Sequence, residues 1–304
     1  MGLETNRRNR YLKSNHRGAR TFGLRGNCQL FEPDPDRAGV GNGLFTRFLC
    51  ARSVPMEIAL SVLNTTDVLK QSLSAIERLR EEGARVHSIT NTVAQNFTAN
   101  VLLACNAKPS MTANVSEVEF FTRRADALHI NLGTLDDQRK AAIEKSMKIA
   151  RSENKPILLD PVMVHVSPER AKFAQKLCQE VSILKGNSQE VETLDMSARA
   201  VNCVLQSGET DCAYNSELGF EIDNGHPIMG QVIATGCALG ALVAALSSKI
   251  ENPIVASVAG AVWFGVAGEE AAKRANGPGS FPVEFLDELA NIPASEIIKK
   301  ARIT

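Results

Sequence analysis

No segment of this 304-residue chain approaches the roughly 20 uninterrupted apolar residues of a membrane span, because charge or glycine breaks its apolar stretches. Excess charge is also lacking. With 34 Lys and Arg against 34 Asp and Glu, neither a nucleic-acid nor an anionic-membrane partner is indicated. Seven cysteines stand singly, without a C-x-x-C pair or an even framework, as in a reducing cytoplasm rather than a secreted disulfide scaffold. Five histidines lie far apart, so no histidine-based metal spacing is present. Neither G-x-x-x-x-G-K-[ST] nor G-x-G-x-x-G occurs, which excludes a P-loop and a dinucleotide fingerprint. Any phosphate has to be held by another device.

What is present suffices for a full core, since 44% of the chain is apolar. Residues 1–55 stand apart: ten Lys and Arg against four acids, without helical or strand periodicity. They are expected to be a basic extension, disordered or upstream of the true start, with residues 56–304 the folded domain and the cytoplasm its location. An Arg-rich organellar transit peptide is the alternative for the same segment.

From Met56 onward, helical and strand patterns alternate. "TTDVLKQSLSAIERLREEGA" carries Leu69, Leu73, Ile76 and Leu79 at helical spacing, with Thr66 and Asp67 as cap candidates and Gly83 as the stop. "VHSIT" reads as a strand and "NFTANVLLACNA" as a helix; "DALHINLG" is a strand, followed by an amphipathic helix capped by Thr134. "PILLDPVMV" is a buried-type strand, "SPERAKFAQKLC" a helix with Ser167 as cap and Pro168 first. "VSILKGN" and "SQEVETL" repeat the unit. Such alternation predicts an α/β fold with a largely parallel central sheet and helices on both faces. Residues 201–233, including "QVIA", read as short strands of an antiparallel edge, and three helices follow.

Ligands of open parallel sheets bind beyond the carboxyl ends of the strands. The residues there are Asn91, Met111, Gly133-Thr134, Asp160, Lys185-Gly186-Asn187, Ser207-Gly208-Glu209 and Ala234-Thr235-Gly236-Cys237. Each alone is as compatible with plain turn chemistry; their common placement is what points to a site. Asp160, rigidified by Pro161, suits Mg²⁺. Glu190 is either a capping-box residue or a second, water-mediated contact to that ion. Lys185 is a phosphate contact or an exposed charge. Thr235, Gly236 and Cys237 open a helix, where unpaired N–H groups and the helix dipole favour an anion and depress a thiol pKa. Cys237 is therefore either a reactive, partly ionised thiol at a phosphoryl-transfer site or a small buried hydrophobe.

From about Val86 to Ala245 the sequence resembles hydroxyethylthiazole kinase. The resemblance is carried by "VHSITNTVAQNFTANVLLACNAKPSM", "ALHINLGTLD", "ILLDPV", "LKGNSQE", "SGETD", "NGHPIM" and "TGCALGALVAA". It implies a ribokinase-like α/β fold and phosphorylation of the primary alcohol of 4-methyl-5-(2-hydroxyethyl)thiazole in thiamin salvage, with ATP as co-substrate and Mg²⁺ as cofactor. A homotrimer with active sites between subunits is implied as well. Met111 would line the thiazole pocket, with Asn91 and Ala234 on the same substrate side. Lys185 matches a position where the family commonly has an arginine touching ATP, Ser207 a threonine at the phosphates, and Asn187 joins them. Asp160 and Glu190 match the Mg²⁺-associated acids. Cys237 matches a cysteine standing where the wider superfamily has an aspartate base, with Thr235 and Gly236 as the anion hole.

The chain departs from the family at four places. Ala234 replaces the first glycine of G-[TA]-G-C, and Met163 and His165 add bulk to a glycine-bearing turn. His129 replaces an aliphatic residue, which reads as a satisfied core or interface histidine. The link between "NSQEVETL" and "VLQSGETD", 194–205, is short. Two alternatives follow: a kinase for a hydroxymethylpyrimidine or pyridoxal-like alcohol, or an impaired homologue that binds thiazole only. A repair dehydratase for hydrated nicotinamide cofactors fits the substrate-side motifs less well.

Overall fold

Eight strands form one sheet in the order β2-β1-β3-β4-β5-β6-β7-β8 in the computed structural model, which describes residues 63–195, 198 and 200–304. The strands are β1 (Ala84–Ile89), β2 (Ala107–Ser110), β3 (Ala127–Asn131), β4 (Ile157–Asp160), β5 (Ile183–Asn187), β6 (Cys203–Ser207), β7 (Asp211–Tyr214) and β8 (Gly219–Ile222). β1 to β6 are mutually parallel, and β7 and β8 turn antiparallel. The expected antiparallel edge is thus narrower than residues 201–233, because β6 aligns in parallel with β5 from Ile183↔Cys203 to Asn187↔Ser207. The proposed boundary at residues 55 and 56 lies outside the described residues.

Strand alternation divides the core. Leu128, Ile130, Leu159, Leu184 and Val204 point to one side, where α4 (Asp137–Ser152), α5 (Pro168–Cys178) and α6 (Ser188–Leu194) bury them. Leu158, Ile183, Cys203 and Leu205 point to the other, against α7 (Thr235–Ser247) and α8 (Pro253–Ala272). Also on that side are α1 (Thr65–Glu82), α2 (Gln95–Ala104), α9 (Phe281–Asn291) and α10 (Ala294–Lys299). α8 corrects one expectation. At 20 residues and mean hydropathy 1.3 it is long and apolar enough to cross a membrane, yet its apolar window is 89% buried within the protein. It is the helix around which this half of the core is built.

Several boundaries follow the sequence signals. Ser167 caps α5 through the Arg170 N–H, with Pro168 at the first helical position, and Gly83 ends α1 at φ 69°. Other signals were misread. Asn64, not Thr66 or Asp67, caps α1, and Asp136, not Thr134, caps α4. Thr134 has φ 47°, and its hydroxyl accepts from the Thr92 N–H, so it shapes a loop at the sheet edge. "QVIA" forms no strand. A 3-10 turn over Pro227–Gln231 and an irregular stretch carry the chain into α7. The short helices α3 (Val118–Arg124) and α10 were not anticipated.

Candidate active site

Asn131 ends β3 directly opposite Asp160 at the end of β4, and this register builds the centre of the site. Asn131 Nδ2 donates to Asp160 Oδ2 (3.0 Å), while its Oδ1 accepts from Asn91 Nδ2 (3.0 Å) and the Gly133 N–H (3.0 Å). Asn91 Nδ2 also reaches Cys237 Sγ (3.4 Å). From the other side Lys185 Nζ lies 3.7 Å from Asp160 Oδ2. Asn91, Asn131, Asp160 and Lys185 are all buried, so four polar groups and a thiol form one connected row under α7. Asn131 was missed by sequence reasoning. Its signal was an amide in the apolar strand "ALHINLG", two residues before a glycine whose Cβ would meet Asn91 at 2.7 Å.

The charges in this row are strongly coupled. Burial raises the Asp160 carboxyl to about 6, Lys185 pulls it back, and the Glu190 charge pushes it further up. Burial opposes the Lys185 ammonium, but Asp160, Cys237, Glu190 and Asp211 together hold it above its ordinary value. It is a buried cation, not the exposed charge that was one reading of the sequence. Of the two readings of Cys237, the ionised thiol is not supported. Burial, followed by the Asp160 charge, raises its pKa, and Lys185 and the two asparagines only partly offset this. It is therefore a neutral thiol in the ligand-free protein, because desolvation and the Asp160 charge outweigh Lys185 and the asparagine hydrogen bonds.

α7 opens the anion site. The first intrahelical bond runs from Ala238 N to Ala234 O (2.9 Å), and the N–H groups of Thr235, Gly236 and Cys237 find no acceptor among the described residues. Gly236 is exposed, so this helix end faces solvent. A Cβ on Gly236 would lie 3.2 Å from Lys185 Nζ, so the ammonium stands directly behind the free amides. The Thr235 hydroxyl is turned away, donating to Met229 O (2.9 Å) and Val232 O (3.1 Å). Only its backbone serves the anion hole.

Ala234 precedes this turn at φ 73°, the left-handed region that costs an L-residue with a Cβ about 1–2 kcal/mol. Ala234→Gly is accordingly expected to stabilise the protein by about 1 kcal/mol, read as a rise of roughly 2–4 °C in thermal midpoint. An unchanged or lower midpoint would show that the turn carries no strain.

Beside the anion site, a cleft of about 640 Å³ is lined by Ser207, Gly208, Asp211, His226, Thr235 and Gly236, among others. Asp211, also missed, accepts the Gly208 N–H (2.9 Å) and so fixes the turn carrying Ser207; burial raises it to about 6. Asn187 pairs in register with Ser207, but its side chain accepts from the Glu190 N–H (3.0 Å) as the cap of α6. Glu190 completes the capping box at the Asn187 N–H (2.9 Å) and accepts from the Met163 N–H (2.8 Å). Both carboxylate oxygens thus clamp backbone, and the capping reading holds. Met111, half-buried just after β2, packs against the core. A larger charged concavity of about 1970 Å³ lies at the amino ends of the strands, beside Ala84, Ile157 and Ser182. It contains none of these groups.

Asp160 and Glu190 supply hard oxygen donors, and Glu190's charge disfavours ionised Asp160, a conflict that a dication relieves. Among the described residues no group of three or more His, Cys, Asp or Glu converges on one point. Two carboxylates are compatible with Mg²⁺, which takes one or two of them and completes its shell with phosphate and water.

A helix amino end backed by a buried lysine, an acid at the end of a parallel strand and a neighbouring cleft suit phosphoryl transfer, the chemistry of the ribokinase-like kinases that this fold resembles. The fold agrees with pyridoxal kinase from Staphylococcus aureus in complex with AMP-PCP and pyridoxal. That likeness has a TM-score of 0.50 at 12% identity, covering 62% of this chain and 88% of that one, and speaks to fold alone. The chain belongs to the hydroxyethylthiazole kinase family, whose model matches residues 76–201 and 191–295. A probable hydroxyethylthiazole kinase of Agrobacterium fabrum is 39% identical over 229 residues, 75% of this chain and 92% of the relative. Hydroxyethylthiazole kinase protein from Pyrococcus horikoshii OT3 superposes with a TM-score of 0.74 at 34% identity, covering 77% of this chain and 98% of that one. The two matched segments overlap at residues 191–201, across the start of the short 194–205 link. β5 and β6 nevertheless pair over five positions, and Ser207 and Asp211 still line the cleft.

Proposed function

We propose that this kinase transfers the γ-phosphoryl group of ATP to the primary hydroxyl of 4-methyl-5-(2-hydroxyethyl)thiazole, in the cytoplasm, with Mg²⁺. The observation that carries the reading is the set of free amides at residues 235–237 with Lys185 Nζ behind them. Transfer forms a bond from the alcohol oxygen to the γ-phosphorus and breaks the bond to the β–γ bridging oxygen. The hydroxyl proton is released, and ADP leaves. Little covalent assistance is needed for such a transition state, so positioning and charge stabilisation dominate.

Each residue then has a task. The α7 amides and Lys185 stabilise the moving phosphoryl group; Ser207 and Asn187 bound the polyphosphate. Asp160 and Glu190 would hold Mg²⁺, which supplies charge neutralisation when bound. Cys237, receiving the Asn91 amide, marks the acceptor side as a thiol that positions the hydroxyl rather than a thiolate base. Met111, Asn91 and Ala234 border the thiazole. Buried Cys105, Cys178 and Cys203, outside any disulfide, support a reducing compartment.

ADP formation by the purified chain is expected only when the thiazole alcohol is present, and Cys237→Ala is expected to lower kcat about ten- to a hundredfold. Alcohol-independent ADP release, or an unaffected variant, would contradict these roles. A homotrimer with sites between subunits belongs to the same proposal. Val93 (57% exposed) and Leu103 (58%) at α2, and Phe120 (68%) and Phe121 (40%) on α3, are exposed apolar side chains that such an interface would cover. Phe120→Glu should release monomers in sedimentation analysis; a monomeric wild type would remove this part. Nothing in the site favours a pyrimidine or pyridoxal-like alcohol. Met163 stands 48% exposed on its turn, and the cleft of an impaired homologue would not be expected to keep Ser207, Asp211 and the Thr235-Gly236 helix entry together.

A further inference from the structure

Gly236 and Gly240 lie one helical turn apart on the face of α7 that meets the sheet. A Cβ on Gly236 would stand 3.2 Å from Lys185 Nζ, and one on Gly240 would stand 3.1 Å from His129 Nε2. Two upright polar side chains therefore fill the space between sheet and helix and limit how closely α7 approaches. Lys185 has a catalytic task. His129 has none in the reading above.

His129 is fully buried in β3. Its Nδ1 pairs with Ser88 Oγ (2.8 Å), and its Nε2 has no partner among the described residues. Ser88, His129 and Leu158 are opposite one another in register, as are Asn131 and Asp160 two residues further on. With the two-residue period of strands, His129 faces the same side as the catalytic row, one layer behind it. Donation from Nδ1–H to Ser88 Oγ leaves only the Nε2 lone pair against the Gly240 backbone, so no N–H donor is stranded. Burial, assisted by Lys185, lowers the imidazole to about 3, so it adds no second positive charge beneath the anion hole.

We propose that His129, braced by Ser88, is a positioning residue for phosphoryl transfer. It sets the height of the amino end of α7 above the Asn131–Asp160–Lys185 row, and hence the separation between the helix amides and the acceptor at Cys237. The inference rests on reading that helix end as the phosphoryl site. A tethered planar ring holds one spacing; an aliphatic side chain of similar volume lacks the tether and lets the helix settle.

The test uses steady-state ADP release by the full chain, normalised to folded protein. His129→Leu is expected to lower kcat about tenfold while both KM values stay within about twofold, since misplacement by a fraction of an ångström acts on the transition state. The pH profile should keep its shape, because His129 does not titrate in the working range. His129→Asn, which retains an amide near Ser88, should recover part of the loss. Gly240→Ala should lower kcat through its clash with the ring, and adding His129→Ala should restore much of it, a coupling that purely local destabilisation does not produce. Unchanged kcat per folded His129→Leu, or a Gly240→Ala defect untouched by His129→Ala, overturns the proposal. If His129→Leu fails to fold, the Gly240 pair decides alone. Wild type that makes no alcohol-dependent ADP defeats the functional reading first, which separates the two failures.

Discussion

Asp160→Asn is expected to lower kcat by about a thousandfold without loss of fold, an effect of the size seen when a group that organises transition-state charge is removed. The asparagine oxygen can still accept from Asn131, and Glu190 and Asp211 remain near Lys185, so the row keeps its shape. What disappears is the charge. Linkage gives this variant a second signature. The Asp160 carboxyl is raised from its unfolded value of 3.8 to about 6, so folding binds its proton more tightly. Its contribution to stability is fully present below about pH 4 and is lost as pH rises through 6. At pH 7.5 the ionised group burdens the ligand-free fold, and asparagine removes that burden. The thermal midpoint of Asp160→Asn at pH 7.5 should therefore equal or exceed that of wild type, with the gap closing toward pH 4. A clearly lower midpoint at pH 7.5 would mean that Asp160 is primarily structural.

Lys185→Met should reduce kcat/KM for ATP by about a hundred- to a thousandfold, because it removes the only cation placed beneath the free α7 amides among the described residues. Its stability effect has the opposite sign to that of Asp160→Asn. Removing one member of a buried pair leaves the other uncompensated, a loss of roughly 3 kcal/mol. Asp160 can escape part of that penalty by taking up a proton, so the loss should be largest at alkaline pH and shrink as pH falls toward 5. Lys185→Arg keeps the charge and is expected to fall between wild type and Lys185→Met in activity. Equal activity of Lys185→Met and wild type would place the phosphoryl group elsewhere.

The layered parallel sheet was legible because its signals are local. "PILLDPV" and "VSILKGN" are continuous apolar runs, as strands buried on both faces must be, and Ser167-Pro168 and Gly83 mark helix ends by their own chemistry. The strand-end placement of Asp160 and Lys185 followed from the same alternation, whereas Cys237 opens a helix that no strand precedes directly. Long-range facts were not legible. Asn131 matters only because β3 and β4 align so as to set it opposite Asp160. "QVIA" has strand composition, but the left-handed Ala234 and the Thr235 hydroxyl bonds bend the chain into a helix start. The two readings of Cys237, a partly ionised thiol and a small buried hydrophobe, could not be separated without the burial that raises its pKa. His129 was read as a satisfied core or interface histidine; it lies in the core, but its Nε2 has no partner among the described residues, and that it stands under Gly240 required the packing of α7 on the sheet.

The central claim is that the entry to α7, with Lys185 behind it, holds the migrating phosphoryl group. A crystal structure with Mg²⁺, ADP, aluminium fluoride and the thiazole alcohol tests it most directly. The account predicts the fluoride complex on the amides of residues 235–237, within hydrogen-bonding reach of Lys185 Nζ, with the alcohol oxygen beside Cys237. A fluoride complex bound away from α7 would contradict it.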